Sequence, residues 1–216
     1  MSMCDNNNKT KEIYEILKRR IINLDYEPGF ILNESDLADE FNISRAPVRS
    51  ALRLLMIDKL VKIVPRFGAQ VSTIDFKQMR FVFELTRVLD PFAARLAAER
   101  ISDEGIKELE EIMERIKSYK EISRDYQDAI ADDERFHNII YSSCGNPWLK
   151  DILTNLHYHT ERLWHYCESF FDSIDLFSDT LGKILQAIKE KDFENVERYT
   201  RDHIDDFVYK IKKEMF

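Results

Sequence analysis

The residues that break helices are spread very unevenly along this chain, and their distribution limits the folds open to it. Pro28, Gly29, Pro47, Pro65 and Gly68 all fall within the first 68 residues, whereas the following 148 hold five more: Pro91, Gly105, Gly145, Pro147 and Gly182. A proline removes a backbone donor and a glycine favours turns, so frequent breaks enforce short elements and sparse breaks permit long helices. The chain therefore divides into a short, turn-rich domain and a long helical one, with the joint near residues 72–78. At 216 residues it has enough chain for each part to bury a core of its own.

Charge divides at the same place. The chain carries 32 Lys/Arg against 40 Asp/Glu, a net charge of −8, and its pI is near 5.3. That average argues against a nucleic-acid binder. Residues 1–75 nevertheless balance, with eleven charges of each sign, so the whole acidic excess lies in the remainder. Within residues 44–67, Arg45, Arg49, Arg53, Lys59, Lys62 and Arg66 are offset by Asp58 alone. A basic surface so concentrated in an acidic chain can find a polyanion.

Other classes are excluded. No apolar run approaches the roughly 20 residues of a membrane span, and the N-terminal MSMCDNNNKTKE lacks the apolar segment of a secretory signal. Three cysteines, Cys4, Cys144 and Cys167, are too few and too odd in number for a disulfide framework and read as free thiols in a reducing cytoplasm. Residues 1–9, with asparagines at 6–8, are expected to form a disordered tail.

In the first domain, Ile13, Ile16, Leu17 and Ile21 step by three and four, which predicts an amphipathic helix stopped by Tyr26-Glu27-Pro28-Gly29. Residues 34–41 predict a second, short helix with Leu37, Ala38 and Phe41 inward. Ser44 stands where its hydroxyl can cap a third helix, and Pro47 falls in that helix's first turn, where a missing N–H costs little. Val48, Leu52 and Leu55 make its buried stripe. Residues 61–64 and 69–73 alternate like strands around Pro65-Arg66-Phe67-Gly68, a β-hairpin.

Three helices followed by a hairpin describe a winged helix-turn-helix over residues 10–74. Arg45, Arg49 and Arg53 lie four apart, so they line one edge of the third helix with a drift of about 40° per step. Guanidinium forks on an exposed helix suit a major groove, where they reach phosphate oxygens or the O6/N7 edge of guanine. Arg66, at the hairpin tip, can reach a neighbouring phosphate or the minor groove. A charged helix face is most often merely solvated; the hairpin and the local charge segregation shift this one towards double-stranded DNA.

The run Pro28-Gly29, Leu32-Asn33-Glu34, Leu37-Ala38, Ser44-Arg45-Ala46-Pro47-Val48-Arg49, Ala51-Leu52, Leu60-Val61, Gly68 and Val71 resembles the DNA-binding domain of GntR-family bacterial transcription regulators. The resemblance implies that Arg45 and Arg49 are the main DNA contacts, that Glu34 closes the helix-turn-helix, and that residues 66–68 form the wing tip. Ala46 stands where the family often has a threonine, which removes one phosphate contact. The expected DNA surface is thus Ser44, Arg45, Arg49, Arg53, Arg66 and Gly68.

From Asp75 onward helical periodicity dominates. Leu109, Ile112, Met113 and Ile116 follow an i, i+3, i+4, i+7 pattern, as do Leu85, Leu89, Phe92 and Leu96. Six or seven helices are expected, near 75–100, 103–120, 124–143, 147–170, 173–190 and 192–214, forming an all-α bundle over residues 75–216. Asp133 and His137, at i and i+4, present a carboxylate and an imidazole on one helix face. That pair suits a divalent metal or a plain surface hydrogen bond, the second being commoner. His157, Glu161 and His165 also share a face, with His159 elsewhere; they read either as a metal face or as ordinary polar residues. His203 stands alone.

Arg87-Val88-Leu89-Asp90-Pro91, Asp133-Glu134-Arg135-Phe136-His137, Gly145-Asn146-Pro147, Ala187-Ile188 and His203-Ile204 are similar to the FCD effector domain of the FadR subfamily. That resemblance implies a metal held by one aspartate and three histidines, with an arginine anchoring a small carboxylate effector. Asp133, His137 and His203 match three ligand positions; the fourth falls at Leu181, which cannot bind metal. One of His157, His159 or His165 could replace it, or metal binding has been lost. Arg87 matches the effector-binding position, its alternative being a salt bridge to Glu84 or Asp90.

The chain is therefore expected to be mainly α, and to be a cytoplasmic bacterial transcription regulator acting as a repressor. As a homodimer it would bind a double-stranded operator, its affinity modulated by a small carboxylate effector, with a zinc- or nickel-class metal if the site survives Leu181 and with no membrane partner. The alternative is a metal-dependent hydrolase in which Asp133, His137 and His203 activate a water and the N-terminal domain is a docking module.

Overall fold

The computed structural model describes residues 3–168 and 178–215. They form two compact units, the first ending at Asp75 and the second beginning at Phe76. Among the described residues, no helix is long and apolar enough to cross a membrane.

In the first unit, α1 (Met3–Ile22) buries Ile13, Leu17 and Ile21 at four-residue spacing. They share one core with Leu37 of α2 (Glu34–Glu40) and with Val48, Leu52 and Leu55 of α3 (Arg45–Ile57). Each such side chain contributes about 2 kcal/mol by leaving water. The helix takes in residues 3–9, which were expected as a tail: the stretch holds no glycine or proline, and weak helix formers there cost only a few tenths of a kcal/mol each.

The turn that gives the helix-turn-helix its angle is built from backbone. Asn42 takes φ 51°, so its N–H reaches Asp39 O (3.2 Å) and the N–H of Ile43 reaches Ala38 O (2.9 Å). Asn33 caps α2, accepting from Ser35 N at 2.7 Å. Ser44 does occupy the extended capping position of α3, but its hydroxyl makes no capping bond.

The wing contains more than the expected hairpin. Strands β2 (Val61–Val64) and β3 (Gly68–Val71) pair antiparallel, and a third strand, β1 (Ile31–Asn33), adds to the free edge of β3. The order is β1-β3-β2, with Leu32 opposite Ala69 and Asn33 opposite Gly68. Three residues are too few to show an alternating pattern, which is why this strand escapes a reading of the sequence.

In the second unit the described residues form α4 (Phe76–Arg100), α5 (Asp103–Ser118), α6 (Ile122–Ser143), α7 (Pro147–Cys167), α8 (Ser178–Glu190) and α9 (Phe193–Met215), with no strand among them. The expected ends at 169–170 and 173–177 lie outside the described residues. Ser102 and Asn146 cap α5 and α7 through their side-chain oxygens. Leu109, Ile112, Met113 and Ile116 are buried, as their spacing requires, and Cys144 and Cys167 are buried free thiols.

Helix α4 departs from its pattern. Its buried face is made of Thr86, Asp90, Ala93, Ala94, Ala97 and Ala98, small enough for close approach of α9, while Leu85 and Phe92 stay exposed. Pro91 is accommodated inside the helix.

Candidate functional site

The first candidate surface lies on α3. Arg45 and Arg49 both reach Glu34, the first residue of α2: Arg49 grips the carboxylate through Nε (3.0 Å) and Nη2 (2.7 Å), and Arg45 joins through Nη2 at 3.2 Å. The hydrogen bond from Arg49 holds the Glu34 carboxyl below its usual range. Glu34 therefore ties α2 to α3 and aligns two cations, both of which stay more than half exposed. Arg53 is exposed on the same helix.

At the wing tip the Phe67 N–H bonds Val64 O (3.1 Å), closing a turn with Pro65 second and Arg66 third. Arg66 takes φ 71°, a conformation that costs a non-glycine residue about 1 kcal/mol and that type II turns require at this position. Phe67, within the expected 66–68 wing tip, is 64% exposed there.

The second candidate is a cavity in the second unit of about 30 Å³, room for an ion and a water or two. Helix α4 lines it with Phe83, Thr86 and Asp90; α6 with Asp133 and His137; α7 with His157, Thr160 and Trp164; α9 with His203, Ile204 and Phe207. The ligating atoms of Asp133, His137 and His203 lie within 4.8 Å of one another. Asp133 Oδ1 stands 3.8 Å from His137 Nε2 and 3.9 Å from His203 Nε2, too far for hydrogen bonds. The surface hydrogen bond offered as an alternative for Asp133 and His137 is thus absent. Metal bonds of 2.0–2.2 Å set neighbouring tetrahedral ligand atoms about 3.4 Å apart, so the separations suit one shared ion.

Two further observations favour an ion. Asp133 Oδ1 is buried without a hydrogen-bond partner, a costly state that a cation would relieve. The Thr180 hydroxyl lies 2.7 Å from His203 Nδ1, fixing the ring with Nε2 towards Asp133, the outer-shell arrangement that orients metal-binding histidines. Burial also sets the protonation states: Asp133 is pushed up to about 8, with Asp90 and Glu134 adding to it, and His157 and His203 are pushed down to about 4. His137 falls well below its usual value, through burial first and the neighbouring imidazoles second. The imidazoles are therefore neutral and free to ligate at pH 7.

Other expected residues are not brought together. Arg87 does not line the cavity: it is exposed and forms a bidentate pair with Asp205 (2.7 and 2.9 Å), so neither Glu84 nor Asp90 is its partner. It sits on the flank of α4 beside the cavity-lining Phe83 and Asp90, with its side chain drawn to Asp205 on α9. Leu181 is fully buried and outside the cavity lining. His165 pairs with Glu161 at 4.0 Å, away from the lining, and of the α7 histidines only His157 contributes to it. The cavity face of α7 is 157, 160, 164, not the 157, 161, 165 line, which drifts about 80° around the helix.

Asp90 gives a pH prediction. Burial pushes its carboxyl up to about 7, opposed by the hydrogen bond from Tyr141 (2.9 Å). A carboxyl raised in the folded state stabilises fully below its unfolded value near 3.8, and that contribution is lost as pH rises to about 7. Asp90→Asn keeps the shape and an acceptor for Tyr141. In metal-free protein its stability relative to wild type should rise by about 1.4 kcal/mol per pH unit across that window and then level off. Urea melts of both proteins from pH 4.5 to 8 check this; parallel curves would show Asp90 ionised throughout.

Residues 82–206 match the FCD domain family, and residues 9–71 match the bacterial regulatory proteins of the gntR family. The HTH-type transcriptional regulator YieP of Escherichia coli (strain K12) is 31% identical over 192 residues, covering 79% of this chain and 78% of that protein. The gluconate operon transcriptional repressor of Bacillus licheniformis is 28% identical, covering 91% and 82%. Among solved structures, E. coli McbR/YncC superposes with a TM-score of 0.82 at 20% identity, covering 96% of this chain and 99% of that one.

Proposed function

From the premise that the chain belongs to the GntR family of bacterial transcriptional regulators, with an FCD domain as its second unit, we propose that it is a cytoplasmic homodimeric repressor whose operator affinity responds to a small organic acid. The pair of arginine forks clasped to Glu34 on the exposed face of α3 carries this reading, because it sets two cations at fixed spacing in an otherwise acidic chain. Arg45 and Arg49 enter the major groove, Arg53 and Ser44 meet the flanking backbone, and Arg66, held out by the turn before Gly68, meets the phosphates beside the groove. The gluconate operon relative is named a repressor, which supports the sign. Family and relatives alike lend the hydrolase alternative no support.

In the second unit, Asp133, His137 and His203 would hold a divalent cation of the zinc or nickel class. Such an ion supplies a Lewis-acidic centre that a carboxylate can bind. Among the described residues no lysine or arginine lines the cavity, so an anionic effector finds no direct cationic clamp in them. A ligand shifts the operator equilibrium only by its differential affinity for the DNA-binding and released states.

Homodimerisation is supported by α4. Phe81, Leu85, Val88 and Phe92 are each 48–67% exposed and fall within about 60° of one another around the helix, opposite the cavity-lining residues. Two copies pairing through this stripe would present two reading heads to an inverted repeat. Selection of duplexes from a random pool should therefore recover a sequence with two inverted half-sites. Val88→Asp should elute as a monomer and bind that sequence at least 30-fold more weakly. An enriched sequence without symmetry, or a dimer undisturbed by the aspartate, would overturn the dimeric reading.

A further inference from the structure

We infer that His157 is a metal ligand of this chain, taking the place left by Leu181. The inference rests on the cation-holding reading of the cavity and adds to it a residue at a position of the fold different from the one it replaces. Leu181 is sealed into the apolar interior of the second unit, so nothing on α8 can ligate from that position. The residue beside it, Thr180, orients His203.

His157 approaches from α7, a helix that carries none of the three clustered ligands. Asp133 and His137 come from α6 and His203 from α9, so α7 supplies the missing direction. Its ring centroid lies 4.9 Å from that of His137, closer than the 5.5 Å between His137 and His203, although those two already face a common aspartate oxygen. His157 shares the cavity lining with Thr160 and Trp164, and its backbone carbonyl accepts from the Thr160 hydroxyl (2.9 Å). The His157 nitrogens stand outside the 4.8 Å cluster formed by Asp133, His137 and His203, but the ring shares their cavity with an orphaned carboxyl oxygen, and coordination is the use that joins it to them. Turning the ring inwards completes a set of one oxygen and three nitrogens, which suits tetrahedral zinc and its cobalt substitute.

The test uses the full chain stripped of metal by a chelator. Zinc and cobalt(II) are titrated into wild type, His157→Ala, His157→Gln and His159→Ala, with bound metal measured by elemental analysis and the cobalt ligand-field spectrum recorded. Wild type should bind about one ion per chain. Both His157 variants should lose about 100-fold in affinity and change the cobalt spectrum, while His159→Ala, outside the cavity lining, changes neither. Pulsed electron paramagnetic resonance of copper-loaded wild type counts bound imidazoles without any substitution: three are expected, and two would overturn the proposal even if the variants misfold. Undiminished binding with an unchanged spectrum in folded His157 variants would overturn it while leaving the Asp133–His137–His203 site standing. A wild type that binds operator but no metal would overturn both.

Discussion

Replacing Arg45 and Arg49 together with alanine should lower operator affinity about 10²- to 10⁴-fold, down to the level of non-specific DNA. Each fork that reads a base edge accounts for roughly one to two decades of discrimination, and the pair is presented as a unit by Glu34. The fold should survive. Both arginines are more than half exposed, and ion pairs in that setting add little to stability, so the thermal midpoint should stay within about 2 °C of wild type. Anisotropy titrations at fixed salt on the selected operator and on a scrambled duplex separate the roles. If Arg49→Ala alone relaxes preference at one operator position, Arg49 reads a base; equal weakening on both duplexes makes it a phosphate contact. A double variant that still distinguishes operator from scrambled DNA would remove α3 as the reading helix.

Gly68→Ala is the second large effect, and it acts on the fold. Gly68 has φ 126°, and a Cβ there would meet Leu32 O at 2.2 Å, well inside contact distance and against backbone that cannot rotate away. The substitution forces β1 from β3, at the point where Asn33 pairs with Gly68. The cost is about 3–5 kcal/mol from strain and lost pairing. A domain of this size holds only about 4–11 kcal/mol in total, so its melting transition should fall by at least 15 °C. Differential scanning calorimetry should show the first unit melting early with the second unaltered. Operator binding should fail in proportion to the unfolded fraction. An unchanged transition would mean that β1 adds nothing to the wing.

How much of this was legible beforehand depends on the range of the interaction responsible. Helices α2, α3 and α5 follow from local spacing, because the residues that bury them are three or four apart. Strand β1 does not: Ile31–Asn33 becomes a strand only because Gly68, some 35 residues later, allows a backbone to approach, and three residues carry no period of their own. In α4 the apolar stripe is as regular as any core helix, yet it faces outwards. Spacing identifies a face; what covers that face is a matter of neighbouring elements.

The cavity shows the same division. Asp133 and His137 share a helix turn, so their convergence could be read directly. His203 is brought in by α9 and was nameable only through family resemblance. His157 belongs to a cluster visible in the sequence, but spacing groups it with 161 and 165, whereas the cavity takes it together with Thr160 and Trp164. Arg87 sits on the expected helix, and its side chain is claimed by Asp205, 118 positions away, an outcome no local pattern encodes.

The lining of the cavity has a consequence for timing. Nine of its eleven residues are each less than 10% exposed, and the other two, Phe83 and His157, are partly exposed. Water and small ions therefore pass beside those two, whereas a guest larger than the cavity of about 30 Å³ needs α4, α7 and α9 to part. Exchange of such a guest would proceed at the frequency of that opening, on the slower timescales of collective helix motion, and not at the rate of diffusion. A regulator holding an effector there would average over brief fluctuations outside it, with the delay written into the packing of three helices rather than into the strength of any single bond.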